Sequence, residues 1–491
     1  MARLSLLGLI LVTSLFGCKK TPEKDPPKTS AQLATSPVAA PTQAASQQGN
    51  TEIPSSPKTS ADFKHVFSKS YGGESNEHIR TMTKTKNGIV ALGGFYEDEN
   101  PFIKKQDNPH KRNGFVTTLN KNGEVAWSLS IGGKQTDTVD ALSSDSNNNI
   151  LCTGLFSDAL EFNDGSLRSE GADDVYVASY DKAGNRNWVK TFGGMDVDVP
   201  YDLVVDKEDN VYVTGEFRLL SKFLGQSVQS KGESDVFLAK LSPQGNLIWL
   251  KAFGSTGEDS GRALALDTQG SLVLVATFSR SIDFGLGALE SNGNLDTAIV
   301  KFNPQGQTIW NLSYGTNLND LVYDVTTGPA NQIVVAGAFD DTLEIDKNVY
   351  ETKGKFDALL LQFKTDGSFA WARSMGAKED DYVARVGVTE DNRVIAAGGF
   401  WYNVTWGADS LKSAGDKDVF LTETASDGTP LSAKRFGGEQ KDTVKGMVID
   451  NEVALAGTFH YDINFGGTDL IQGEKEKGKL PKSDVFIAKF K

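Results

Sequence analysis

"WVKTFGG" spans Trp188 to Gly194, and the chain repeats it with small changes: "WSLSIGG" from Trp127, "WLKAFGS" from Trp249, "WNLSYGT" from Trp310, "WARSMGA" from Trp371 and a degraded "SAKRFGG" from Ser432. Its first glycine recurs at Gly72, Gly132, Gly193, Gly254, Gly315, Gly376 and Gly437, a spacing of 60 residues and then 61 five times. Seven copies in register identify a structural repeat. Five positions past the glycine stands an acid: Glu77, Asp137, Asp198, Asp259, Asp320, Asp381 or Asp442. A strand-like run ending in Phe follows, as in "NVYVTGEF" (210–217). Eighteen residues later, in six units, comes Asn113, Asp174, Asp235, Asp296, Asp357 or Asp418; in the seventh unit, Asp484 comes after twenty-five.

Each unit reads as four strands. In the fourth these are "RALALD" (262–267), "SLVLVATF" (271–278), "DTAIVKF" (296–302) and "TIWNLSY" (308–314), with "TQG" and "NPQGQ" as turns. A lone four-stranded sheet cannot bury both faces, whereas copies stacked around an axis can, and four strands per 40–60 residues is the β-propeller pattern. The last unit ends on a third strand, "SDVFIAKFK", and the folded part opens on an unaccompanied fourth strand, "HVFSKSYGG" (65–73). The expected fold is therefore all-β: a seven-bladed β-propeller of four-stranded blades over 62–491, closed by the N-terminal strand pairing with the C-terminal blade.

The pattern "DVFLAKL…G…W…FGG…D…D…NVYVTGEF" resembles the bacterial seven-bladed β-propeller repeat (SBBP-type) lipoprotein family, over roughly residues 63–491. The resemblance implies the fold and a cell-envelope setting but no particular activity.

Upstream, residues 1–17 carry Arg3 and an apolar run of about a dozen residues, too short to span a bilayer and suited to a signal peptide. The run ends in "LFGC", which resembles a bacterial lipobox with Cys18 as the lipid attachment site. The segment 18–61 is rich in Pro, Ser, Thr, Ala and Gln, lacks aromatic residues and reads as a disordered tether. Such a coil spans about 35 Å on average. Acyl chains on Cys18, such as palmitate, would hold the head at a membrane, with the bacterial outer membrane, on its periplasmic or surface face, as the expected location. The one other cysteine, Cys152, lies in "NILCTGLF" at a core position.

Chemistry-bearing motifs are scarce. The net charge of −14 argues against nucleic acid as a partner. The sequence has no G-x-S-x-G, H-E-x-x-H, C-x-x-C or P-loop, and its four histidines occupy unrelated repeat positions. No catalytic residue, metal or cofactor is expected. The acidic ring from Glu77 to Asp442 reads mainly as structural, each carboxylate accepting backbone N–H groups where the chain crosses between blades. The alternative is a glycan hydrolase or lyase using those carboxylates as acid and base at the channel mouth.

Departures from the repeat cluster. Directly after the repeated Phe stand Tyr96, Ser157, Arg218, Ser279, Asp340, Trp401 and His460, so rings occupy units six, seven and one, neighbours once the circle closes. Tyr402, Tyr461 and Trp406 are close by. The connections "IQGEKEKGKLPKSD" (471–484) and "PFIKKQDNPHKR" (101–112) are basic. Tyr96, Trp401, Tyr402, Trp406, His460 and Tyr461 are thus candidates for binding a protein or polysaccharide partner on the loop-rich face. Trp401 and Trp406 would alternatively fill the space left in blade six by Ser432. The function expected is that of a monomeric, membrane-anchored, non-catalytic binding or scaffolding module.

Overall fold

The computed structural model describes residues 63–72, 76–97, 99–102, 112–162, 164–471 and 482–491. Cys18, the tether and most of both basic connections lie outside them. Within them the chain forms seven antiparallel blades of four strands each, a β-propeller, with the ribbon of the third blade adding two strands to the outer edge of the second. The innermost strands run Glu77–Lys84, Ala141–Ser144, Val199–Val205, Asp259–Leu266, Asp320–Thr327, Tyr382–Val388 and Thr443–Ile449. Each touches the next, and the seventh touches the first, so they line a closed central channel. The second and third strands are almost wholly buried, as in Val211–Phe217 and Asp235–Leu241, and their Val, Leu, Ile and Phe side chains pack against the adjacent blades.

Closure follows the expected route. His65–Tyr71 pairs antiparallel with Asp484–Phe490, matching Tyr71 with Val485 and Ser70 with Phe486, and becomes the outer strand of blade 7. Phe63, buried just ahead of it, packs with Phe436, Phe465 and Phe490.

The repeated phrase explains how blades hold one another. The indole N–H groups of Trp127, Trp188, Trp310 and Trp371 donate to the carbonyls of Lys182, Pro243, Thr365 and Ser426, each in the outer turn of the following blade, at 2.9–3.2 Å. The ring lies on that turn's glycine: a Cβ on Gly184, Gly245, Gly367 or Gly428, all with φ between +84° and +87° or at +76°, would meet Trp atoms at 2.7–3.1 Å. Blade 7 has no such turn, because there the third and outer strands are the two ends of the folded chain. Ser432 therefore has no turn to clasp, and the lapse of the phrase marks the closure seam. On the other side of the seam Phe67 takes the Trp position against Gly123, while Lys69 and Tyr71 supply the donors to the Gly123 carbonyl.

The first glycine of the phrase and the acid opening the third strand are also partners. A Cβ on Gly254, Gly315, Gly376 or Gly437 would collide with the carboxylate of Asp235, Asp296, Asp357 or Asp418 of the same blade. Those carboxylates are buried and accept backbone N–H groups, as Asp296 does from Asn292 at 2.8 Å. Glycine is required there by close approach.

Candidate functional site

The acidic ring stands at one mouth of the channel, where each first strand begins and each second strand ends; Asp259 pairs with Phe278 and Asp320 with Phe339. All seven side chains are fully buried. Asp137 accepts the N–H of Gly133 at 2.8 Å and of Ser157 at 3.3 Å, and Asp259 accepts those of Ser255 and Ser279. Asp381 binds Ala377 and Trp401, Asp442 binds Gly438 and His460, and Asp320 binds Thr316. Asp198 takes the Arg218 N–H and the Ser221 hydroxyl. The carboxylates of Asp137, Asp259, Asp381 and Asp442 thus tie the interblade crossing to the end of the second strand. Burial, with the third-strand acid nearby, pushes the Asp320 and Asp442 carboxyls up to about 8 and those of Asp198, Asp259 and Asp381 up to about 7.

The connection between second and third strands leaves the blade at this same mouth. In blades 3 to 7 it folds into a short ribbon, such as Asn403–Trp406 paired with Asp409–Lys412. The ribbon opens on a residue in the left-handed region: Leu219, Arg280, Asp341, Tyr402 and Tyr461, with φ from +55° to +71°.

The six candidate aromatic and imidazole residues divide. Tyr96 is buried inside blade 1, where its hydroxyl donates to Ser130 Oγ at 2.9 Å. Trp406 is buried beside Trp371 and Phe420, and its indole N–H donates to the Glu423 carbonyl at 3.2 Å. Neither presents surface to a partner. Trp406 occupies the position six past the repeated Phe, filled elsewhere by Phe223, Phe284, Ile345 and Phe465, all buried, so it is a core residue of the repeat. Trp401, His460 and Tyr461 are part-exposed, and Tyr402 is 52% exposed, beyond any other aromatic side chain in the described residues. The surface sector is therefore Trp401, Tyr402, His460 and Tyr461, on blades 6 and 7.

Behind these rings stands a group of cations. Lys417 Nζ lies over the Tyr382 ring at 4.6 Å and the Trp401 ring at 5.7 Å, and Lys445 Nζ lies 5.9 Å from the Tyr382 ring. Arg385, on the inner strand of blade 6, donates to the Arg80 carbonyl of blade 1 at 3.0 Å, passing in front of blade 7. His460 Nδ1 sits 2.6 Å from the Lys441 carbonyl. Desolvation, reinforced by Arg385, Arg80, Lys417 and Lys441, brings Lys445 down to about 7. Desolvation together with Arg112, Arg80, His460 and Lys441 brings His78 down to about 4. Single-residue motif scanning passes over this group; comparing one repeat position across seven blades finds it. The residue before the ring acid is Lys441 in blade 7 but Thr136, Val197, Glu258, Asn319 and Asp380 in blades 2 to 6.

No family model matches the chain. It is 24% identical over 312 residues to the regulatory protein FlaEY of Caulobacter vibrioides, covering 58% of this chain and 32% of that protein. It is 21% identical over 267 residues to an uncharacterized WD repeat-containing protein, L264, of Acanthamoeba polyphaga mimivirus, covering 45% and 19%. The chain thus spans a third or less of the length of these curated relatives. Among solved structures it is similar to YCF48 bound to a D1 peptide (TM-score 0.41, 9% identity, 89% of this chain and 99% of that one). It is also similar to a protein of unknown function from Dyadobacter fermentans (TM-score 0.40, 12% identity, 87% and 99%). The polysaccharide lyase Uly1 matches at TM-score 0.40 and 10% identity, over 89% and 94%. The chain is a seven-bladed β-propeller.

Proposed function

We propose that the protein is a non-catalytic binding module, lipid-anchored through Cys18 in a bacterial envelope, whose propeller engages a protein or polysaccharide partner through blades 6, 7 and 1. The observation that carries this reading is the grouping of Trp401, Tyr402, His460 and Tyr461 around one sector of the channel mouth, with Tyr402 projecting into solvent. Aromatic side chains held between the end of a buried strand and a short ribbon bring contact area at low entropic cost, the usual basis of binding hot spots. A lipid anchor with a tether of about 43 residues would let that face reach partners some tens of ångströms from the bilayer. The glycan-cleaving alternative draws less support, since the ring carboxylates it would use are buried and engaged by backbone N–H groups.

The test is affinity capture from envelope extracts with the full-length protein, comparing wild type with Trp401→Ala/Tyr402→Ala/Tyr461→Ala. Loss of the captured partner, with an unchanged far-UV spectrum and melting temperature, supports the sector. Equal capture by the triple variant rejects it. Globomycin-sensitive processing and loss of membrane association in Cys18→Ser test the anchor.

A further inference from the structure

Cations gather at the channel mouth on three adjacent blades. On blades 6, 7 and 1 stand Lys417, Lys441, Lys445, Arg80, Arg112 and Arg385. Asp140 stands just ahead of the inner strand of blade 2, and the inner strands of blades 3 and 5 carry Asp202 and Asp324. The Arg385 charge acts on Asp202 and Asp324, and these two accept the N–H groups of Leu264 and Val386 on the following blades at 2.7 and 2.9 Å. Some cations are answered: Arg80 pairs with Asp140 at 3.3 Å and Arg112 with Glu97 at 3.5 Å, while Asp380 and Asp381 lie near Lys417. Lys445 makes no ion pair or hydrogen bond with any described residue, and the charges around it are Arg385, Arg80, Lys417 and Lys441. A protein with a net charge of −14 has thus collected six cations in three adjacent blades, at positions that in blades 2 to 5 hold residues such as Thr136, Val197, Tyr201, Ser234 and Tyr323, with Arg262 of blade 4 the one cation among them.

Holding like charges together in a part-buried mouth costs stability, most of all at Lys445, which no carboxylate of the described residues answers. A bound anion would reverse that cost, since charge-assisted bonds to lysine and arginine are strong in a confined site. The rings add shape: Lys417 Nζ lies over both the Tyr382 and the Trp401 ring, so the part-exposed Trp401 indole stands beside a cation. A pyranose offers the matching pair, a C–H face to lie on an aromatic ring and, when oxidised, a carboxylate to meet the ammonium.

We propose that the channel mouth between blades 6, 7 and 1 binds a carboxylated sugar unit of an acidic polysaccharide, Lys417 and Lys445 receiving the carboxylate and the part-exposed Trp401 the sugar face. This rests on the reading of that sector as a binding surface and specifies its ligand.

The experiment is calorimetric titration of the full-length protein at neutral pH and low salt with tetragalacturonate, its methyl ester and inorganic phosphate. Tetragalacturonate is expected to bind, its methyl ester to bind about ten-fold more weakly or less, and phosphate not to displace it. Lys445→Met and Lys417→Met should each weaken binding about ten-fold, and Lys445→Met should leave the melting temperature unchanged or raised, because it removes an uncompensated cation. Equal affinity for acid and ester, full displacement by phosphate, undiminished binding in both lysine variants, or no binding by wild type would each overturn the assignment. Tyr402→Ala/Tyr461→Ala should bind tetragalacturonate normally. Loss of envelope-partner capture in that variant with the sugar titration negative would leave the surface reading standing and this ligand rejected.

Discussion

The pairing of the phrase glycine with the third-strand acid makes a sharp prediction at Gly315 and Asp296. Gly315 has an ordinary backbone conformation, so alanine there carries no φ penalty and its whole cost is steric: the new methyl meets the buried Asp296 carboxylate. Overpacking of this kind costs about 1–3 kcal/mol. Asp296→Ala removes an acceptor bonded to the Asn292 N–H at 2.8 Å and the Ser291 hydroxyl at 3.3 Å, leaving a buried donor unpaired at a cost of about 1–3 kcal/mol. In the double variant the methyl enters the space the carboxylate vacates. It should therefore be little less stable than Asp296→Ala alone, giving a coupling of about 1–3 kcal/mol. Urea unfolding followed by tryptophan fluorescence and far-UV circular dichroism supplies the three differences. Strictly additive costs, or a neutral Gly315→Ala, would refute the claim that this glycine is set by its acid.

Two further predictions concern the ring. Trp371→Ser should cost about 3–5 kcal/mol in urea unfolding, since a buried indole and its bond to the Ser426 carbonyl are lost, whereas Ser432→Trp should gain under about 0.5 kcal/mol because blade 7 has no turn to receive it. A comparable gain at Ser432 would contradict the seam. As for pH, the folded ring holds its protons up to about 7–8 while unfolded aspartates release theirs near 3.8, so the native state binds more protons between those values and stability falls as pH rises through that window. The urea midpoint should be higher at pH 5 than at pH 8. Asp320→Asn, which keeps an oxygen for the Thr316 N–H, should flatten that slope; an unchanged slope would remove Asp320 from it.

The fold was legible because its cause is periodic: the spacing of the glycines counts blades, and the unaccompanied strand at His65–Tyr71 shows where the circle shuts. The structural reading of the acidic ring came from the same logic, an acid required in every blade. The site was less legible because periodicity was set aside there. Trp406 lies close to the exposed rings in sequence, yet its position is apolar in every blade from 2 to 7, and the lapse at Ser432 reflects the missing turn of blade 7. Tyr96 stands one residue past its Phe as Trp401 does, yet its strand runs on to Glu97, which keeps the ring inside the blade. Charge position was the signal passed over. Lys417, Lys441 and Lys445 are distant in sequence from Arg80 and Arg112, and closure alone makes them neighbours.

That blades 6 and 7 carry the working surface is tested most directly by placing a photo-crosslinking benzoylphenylalanine at Tyr402 and, separately, at Leu219. The two occupy the same repeat position with φ of +60° and +55° and are 52% and 51% exposed, so they differ only in the sector they face. On intact cells the account predicts a discrete crosslinked species from position 402 and none from 219. Equal crosslinking from both positions, or from 219 alone, would contradict it.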